Sequence, residues 1–227
     1  MSLHRLGAML ALLSAAVPSL AFAQAAVTPT TTQRRDGDLW FDPTQLPSFT
    51  GTVERYLPNP RGETDALVFK EGPQVVFPPD VAEGVRQVAP AGRPVIVWGI
   101  RARTAPVITM LAFAPNTETT PVVVDRFYWH LTGRQASDRA VPLSLTGTVR
   151  QPYYTPQGEV AGAILEDGGV VLLPPGAAEP FKDLLKGGQQ LTAAGMGQES
   201  AAGKALLAAE LGAGGDAMKP IAAAPPR

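Results

Sequence analysis

The chain has 227 residues, of which 45% are hydrophobic and 17% charged, a composition typical of one or two globular domains rather than a disordered chain. It contains no cysteine, which excludes disulfides, thiolate metal sites, cysteine nucleophiles and a lipoprotein anchor. A formal net charge of −1 without any basic block argues against strong binding to a phosphate backbone.

Residues 1–23 have the pattern of a secretory signal peptide. A basic start precedes the uncharged run 6–16, and Ala21 and Ala23 are small residues of the kind that signal peptidase favours. We expect cleavage before Gln24 and a periplasmic or secreted mature protein. No later stretch is long and apolar enough for a spanning helix, so we expect no transmembrane segment in the mature protein.

The mature part contains an internal repeat. Ser48-Phe-Thr-Gly-Thr-Val53 recurs as Ser144-Leu-Thr-Gly-Thr-Val149, at an offset of 96 residues. About 16 positions match over the window 48–99, where composition alone would give roughly four, so chance is a poor explanation. The same offset, without a gap, aligns Gly62 with Gly158, Pro78 and Pro79 with Pro174 and Pro175, and Gly99 with Gly195.

Each copy predicts five strands with one short helix between the third and the fourth. In copy 1, Val81, Val85 and Val88 recur at helical spacing after the two prolines, and the helix in copy 2 has Phe181, Leu184 and Leu185 on its apolar face. The Ala-rich run 205–211 in copy 2 could form either a strand or a helix. The strands predicted in copy 1 are 49–56, 66–69, 74–77, 95–100 and 107–113.

Three strands, a helix and two more strands is the order of the OB-fold, a small Greek-key barrel. The repeated element, with Gly-Thr-Val, a Pro-x-Gly-Glu turn and the two prolines that follow Val-Phe in copy 1, resembles exported bacterial OB-fold proteins over about 48–113 and 144–211. The resemblance implies an all-β protein made of two tandem OB-fold-like five-stranded barrels. An SH3-like barrel is the main competing architecture, and the helix after the third strand favours the OB-fold.

The composition of the remaining segments gives the domain boundaries. Both ends are rich in small and polar residues, which predicts disorder, whereas the aromatic run near residue 128 makes the middle segment too apolar for a plain linker. The predicted organisation is a signal peptide (1–23), a disordered segment (24–47), OB-like domain 1 (48–113), an aromatic-containing connector (114–143), OB-like domain 2 (144–212) and a disordered tail (213–227).

The mature chain lacks the side chains that most catalytic and metal sites need. His130 is its single histidine. A Ser-His-Asp triad of Ser137, His130 and Asp138 can be written down, but no nucleophile-elbow glycine pattern surrounds the serine. The repeated glutamates Glu63 and Glu83 fit a turn and a helix start better than a pair of acid and base. We therefore expect no enzyme, no metal site and no cofactor.

Two groups of residues are candidate ligand contacts. Arg101 and Arg103 on the fourth strand share a face by period-two alternation, and Arg55 would lie near them if the barrel closes, which makes this group the best candidate for an anion site. Against this, copy 2 has Gly197 and Glu199 at the corresponding places. The second group, Phe127, Tyr128, Trp129 and His130, could stack on sugar rings or bases, or could pack between two small barrels.

Duplication without catalytic residues suggests binding, because two linked modules gain avidity. The first hypothesis is a non-catalytic exported binding or adaptor protein whose barrel faces or interdomain groove engage another protein or an envelope polymer. The alternative is an oligonucleotide or other polyanion-binding protein that uses the arginines and the aromatic connector, although the net acidity and the export signal weigh against nucleic acid.

Overall fold

Five strands of the first repeat close into a barrel, which we call barrel 1. The structure is a computed structural model that describes residues 41–135 and 137–222, all within one compact unit, Arg35–Arg227; the predicted signal peptide lies outside the described residues. Barrel 1 consists of β1 (Ser48–Pro58), β2 (Thr64–Phe69), β3 (Gln74–Val76), the helix α1 (Ala82–Val88), β4 (Pro94–Arg101) and β5 (Val107–Ala114), and a short β6 (Val122–Val123) pairs with the end of β5.

The strand order of barrel 1 is that of the OB-fold. β1 pairs with β2 along its second half and with β4 along its first half, and a register shift after Val53 lets one long strand serve both neighbours. β4 continues antiparallel into β5, and β3 closes the barrel by pairing in parallel with β5. The predicted order of strands and helix is confirmed.

The second repeat forms barrel 2 with the same connections. It consists of β7 (Val141–Tyr154), β8 (Val160–Leu165), β9 (Val170–Leu172), β10 (Gln190–Ser200) and β11 (Gly203–Gly212), followed by a short β12 (Lys219–Pro220) on β11. The Ala-rich run 205–211 is a strand, because backbone pairing with β10 on one side and β9 on the other outweighs the helix preference of alanine. The all-β prediction of two tandem OB-like barrels is confirmed.

The helix predicted in copy 2 is reduced to a single 3-10 turn, Glu179–Phe181. Pro180 stands where copy 1 has Gly84, and its ring and missing N–H allow it only in a first turn. The chain makes one further turn, in which the Phe181 carbonyl accepts hydrogen bonds from the backbone N–H groups of Leu184 and Leu185, and it then reaches Gly187 and Gly188 without forming an α-helix. Phe181 and Leu185 are nevertheless buried in barrel 2, so the apolar face was predicted correctly even though the α-helix was not.

Three segments outside the predicted barrels also have structure. A 3-10 turn, Pro43–Gln45, is capped by the Asp42 side chain and packs against β4 and β5, within the segment 24–47 that was predicted to be disordered. The connector contributes β6 and the first residues of β7, and the predicted tail contributes β12. In the described part of the chain, no helix is both long and apolar enough to cross a membrane.

Each barrel has its own apolar interior. The glycine repeated in β4 and β10 is required by the close approach of the neighbouring strand. A Cβ on Gly99 would lie 2.0 Å from the Thr109 carbonyl oxygen, and one on Gly195 would lie 2.0 Å from the carbonyl oxygen of Leu207. Both glycines sit at a bulge where the neighbouring strand approaches closely, which explains why the repeat keeps them.

Candidate functional site

The two barrels meet through the same face, and a third apolar core lies between them. Repeat-equivalent residues contribute to it from both sides: Leu57 and Tyr153, Val68 and Ile164, Val76 and Leu172. OB-folds commonly bind ligands on the face of strands 2 and 3 and on the loops beside it. Here that face is buried in each barrel by the other barrel, so only the loops at its rim remain open to a ligand.

Polar contacts also cross this junction. The buried Gln74 side chain accepts a hydrogen bond from the Tyr154 backbone N–H at 2.9 Å and donates one to the Tyr154 carbonyl at 3.1 Å. Arg55 donates to the Glu166 carbonyl at 3.0 Å, and Glu54 forms an ion pair with Arg150. The predicted ligand contact Arg55 therefore connects the two barrels.

At the rim of the junction, loops from opposite barrels face each other across an open cleft of about 670 Å³, which we call the junction cleft. The β1–β2 loop of barrel 1 forms one wall and the β10–β11 turn of barrel 2 forms another, while α1 with the turn before it and the connector complete the cleft. Its lining residues include three basic and three acidic side chains: Arg61, Arg86, Arg126, Glu63, Asp80 and Glu83.

The arginines of the junction cleft already have partners in the protein. Arg126 forms an ion pair with Asp80, and Arg86 donates a hydrogen bond to Thr64 while its guanidinium lies 5.1 Å from the centre of the Tyr56 ring. Only Arg61 is held loosely, 3.7 Å from Glu63 with both side chains more than 40% exposed. The cleft therefore presents balanced charge rather than a positive pocket.

A buried carboxylate lies beneath the junction cleft. Asp65 is 1% exposed, and its Oδ2 accepts hydrogen bonds from the Tyr128 hydroxyl and, at 2.9 Å, from Asn59 Nδ2. Burial raises the pKa of Asp65 to about 6, although the hydrogen bonds from Tyr128 and Asn59 act in the opposite direction. Burial likewise raises the pKa of the Tyr128 hydroxyl.

The other predicted site residues lie away from the junction cleft. Arg101 is the last residue of β4 and Arg103 lies in the β4–β5 loop, so the two do not share a strand face as the sequence suggested. Both are exposed and have no ion pair within the described ranges. The β4–β5 loop contacts the β7–β8 loop, where Gly158 packs against Ala102 and Thr104.

The aromatic run divides between two environments. Tyr128 is buried in the junction, whereas Trp129 is 37% exposed and stacks on Phe127 with ring centres 5.2 Å apart. The Trp129 carbonyl accepts a hydrogen bond from Gln157 in the β7–β8 loop at 2.8 Å, and His130 is exposed. The segments that carry Arg103 and Trp129 therefore meet at the β7–β8 loop.

The described residues contain no group of three or more His, Cys, Asp or Glu side chains placed to hold a metal ion. Ser137 accepts hydrogen bonds from the Arg139 backbone and the Gln198 side chain. Within the ranges that the structure describes, no hydrogen bond connects it to His130 or Asp138, so the arrangement written from the sequence is not assembled there.

One feature of the sequence does indicate the junction, although the predictions above do not use it. Ala66 to Phe69 in β2 and Ala161 to Leu165 in β8 are continuously apolar, whereas a barrel strand with a solvated outer face alternates. Such runs indicate strands covered on both faces. The junction cleft itself has no such signal, because its residues are scattered from Arg61 to Ala202.

Comparisons of the chain with protein-family models, with curated proteins and with solved structures found no match. The assignment of two OB-like barrels therefore rests on strand order and barrel closure.

Proposed function

We propose that this chain is a non-catalytic exported binding protein that holds a polypeptide segment of a partner protein in the junction cleft. The observation that supports it most is the meeting of the β1–β2 loop of barrel 1 with the β10–β11 turn of barrel 2 across one open cleft. These are the two loop positions that OB-folds use for ligands, here taken from different barrels. Export rests on the signal pattern of residues 1–23.

The chemistry of the junction cleft favours a polypeptide over other polymers. Three basic and three acidic side chains line it, so it repels a polyanion as much as it attracts one, whereas a peptide with charges of both signs is compatible with both sets. Its lining contains no aromatic side chain, and bases are commonly held by stacking on such rings. A segment of a protein partner is the occupant that meets both conditions.

The test begins with capture at the cleft. A photo-crosslinking residue at Arg61 in the full mature chain identifies neighbours in the cell envelope, and Glu118, exposed and outside the cleft, is the control position. Each captured protein is then purified and its binding to the mature chain measured by calorimetry. The matched variants are Ala201→Trp, which fills the cleft, and Ala91→Trp, the same change in an exposed turn elsewhere.

We expect a directly binding partner whose affinity falls at least about tenfold with Ala201→Trp and stays unchanged with Ala91→Trp, because only the first substitution occupies the cleft. Capture from both positions alike, or equal binding by the two tryptophan variants, would contradict the proposal.

A second candidate function is polyanion binding at the β7–β8 loop. Arg101 and Arg103 are exposed and form no ion pair with any residue that the structure describes, and they lie close to a loop that also contacts the Trp129 backbone, which favours this candidate. A short single-stranded oligonucleotide titrated into the mature chain distinguishes the two candidates. Polyanion binding weakens steeply with added salt and with Arg101→Ala, whereas Ala201→Trp leaves it unchanged.

A further inference from the structure

Two walls of the junction cleft are connected by hydrogen bonds to the buried side chain of Asp65, and the first of them is the β1–β2 loop. Asn59 Oδ1 accepts hydrogen bonds from the backbone N–H groups of Arg61 at 2.9 Å and Glu63 at 3.2 Å, which fixes the β1–β2 loop. Its amide nitrogen then donates to Asp65. The conformation of this wall is therefore connected to the Asp65 carboxylate.

The connector is attached to the same carboxylate oxygen. The Tyr128 hydroxyl donates to Asp65 Oδ2 and accepts a hydrogen bond from the Thr132 backbone N–H at 3.1 Å. Thr132 lines the junction cleft on the connector side. One oxygen of Asp65 thus receives one hydrogen bond from the loop wall and one from the connector wall.

We propose that Asp65 is a positioning residue for the junction cleft, and that a proton on its carboxylate loosens both walls together. This inference rests on the proposed function, since it concerns regulation of the same site. An ionised carboxylate accepts charge-assisted hydrogen bonds, which are roughly twice as strong as neutral ones, so protonation weakens the bonds to Asn59 and Tyr128 at once.

The surroundings of Asp65 determine where the proton goes. Oδ1 of Asp65 and the Tyr153 hydroxyl are both buried, and neither has a hydrogen bond of ordinary geometry among the described residues. Burial raises the pKa of the Tyr153 hydroxyl, and the nearby Asp65 carboxylate raises it further through its charge and a hydrogen-bonding interaction. Because Asn59 and Tyr128 both donate to Oδ2, Oδ1 is the oxygen that remains for a proton or for the Tyr153 hydroxyl. The groups facing Asp65 are Glu63 from its own loop, Tyr128 from the connector and Tyr153 from β7, while Arg134 of the connector faces Tyr153 in turn.

The two copies differ at the position of Asp65, so the pH-dependent support can operate only on the barrel 1 side of the junction. The repeat equivalent of Asp65 is Ala161, and the equivalent of Asn59 is Thr155. Thr155 still accepts a hydrogen bond from the Glu159 backbone N–H at 3.2 Å, so the β7–β8 loop keeps its turn without a buried acid beneath it. A titrating support exists only in barrel 1.

The test is an NMR titration of the mature chain without any ligand, from about pH 4 to 8. The Asp65 side-chain carbon reports its own ionisation, and the amide signals of Arg61 and Thr132 report the two walls. We expect all three to move with one midpoint near pH 6, and Glu63→Gln to leave that midpoint nearly in place. Walls that do not move, or that move at different midpoints, would overturn the proposal.

Two variants separate positioning from a merely structural role. Tyr128→Phe removes the connector's hydrogen bond, so we expect the Asp65 midpoint to rise and Thr132 to stop titrating while Arg61 still does. Asp65→Asn should abolish the shared transition at both walls, and a transition that persists near pH 6 would refute the role of Asp65. Because no partner is present, failure here leaves the tryptophan test of the proposed function unaffected.

Discussion

Asp65 keeps a carboxylate in the barrel junction because Tyr128 and Asn59 both donate hydrogen bonds to it. Burial nevertheless raises its pKa from 3.8 to about 6, so the folded protein holds this proton more tightly than the unfolded chain does. A raised pKa means that its contribution to stability is fully present below the unfolded value near 3.8 and is lost as the pH rises through about 6.

Replacing the acid should remove this pH dependence. We expect the stability of Asp65→Asn relative to the wild type to increase as the pH rises from about 4 to 7, since only the wild type must bury a charge at the upper end. Urea denaturation at a series of pH values measures it. Asp125→Asn, an exposed acid of the connector, is the control, and wild-type and Asp65→Asn curves that stay parallel would contradict this reading.

The Tyr128 hydroxyl links the connector to the barrel junction, because it hydrogen-bonds to Asp65 and to the Thr132 backbone. Tyr128→Phe deprives both Asp65 and the Thr132 backbone of a partner, so we expect a loss of about 1–3 kcal/mol in the free energy of unfolding. His130→Ala, two residues along the chain and exposed, should change stability by less than about 0.5 kcal/mol. Equal effects of the two substitutions in denaturation experiments would show that Tyr128 does not hold the junction.

At the scale of elements, the repeat offers an internal comparison in its first strands. A Cβ on Gly51 in β1 would lie 2.3 Å from the Phe69 ring, whereas a Cβ on the equivalent Gly147 in β7 would lie 3.5 Å from Leu165. The larger ring fills the space above the glycine in barrel 1, and the smaller leucine leaves ordinary contact distance in barrel 2.

The same substitution should therefore act differently in the two barrels. We expect Gly51→Ala to destabilise the protein by about 1–3 kcal/mol through overpacking, and Gly147→Ala to change it by less than about 0.5 kcal/mol. Thermal denaturation of the two single variants under identical conditions measures this. Similar melting temperatures for the two would mean that the Phe69 ring can move aside at little cost.

How far the sequence predicts these elements depends on the length of their patterns. Strands such as β4 and β5 of copy 1 follow from apolar runs bounded by proline and glycine, whereas the copy 2 equivalent of β5, the Ala-rich run 205–211, left strand and helix open. β6 is too short to have any periodicity, and the helix in copy 2 fails at Pro180, a single residue inside an otherwise helical pattern. Periodicity therefore fails to predict very short elements, and it fails where a single residue prevents the structure that its neighbours favour.

The candidate site escaped prediction for a different reason. Strand alternation predicts that Arg101 and Arg103 share a face, but β4 ends at Arg101, and Arg55 donates a hydrogen bond to Glu166 of the second barrel. The junction cleft exists only once the barrels are packed together. For Tyr128 the packing alternative describes the structure, because an aromatic residue beside two small cores finds apolar surface between the barrels.

At the scale of the whole molecule, the third core makes the two barrels depend on each other. Ile164 of barrel 2 packs in that core with Val68 and Val76 of barrel 1, and Gln74 hydrogen-bonds to the Tyr154 backbone across the junction. We expect Ile164→Ala to cost about 2–5 kcal/mol and to lower the stability of barrel 1 as well as barrel 2. An effect confined to barrel 2 signals in NMR-detected denaturation would contradict a shared core.

The most direct measurement is urea unfolding of the mature chain followed by NMR at equivalent interior positions, the amides of Val97 in β4 and Ala193 in β10. Both lie inside their own barrels, away from the junction, so each reports its own barrel. Barrels joined through a common core should lose both signals at one midpoint and with one slope. Two separated midpoints would show independent domains, and the junction cleft would then lack the fixed walls on which the proposed function depends.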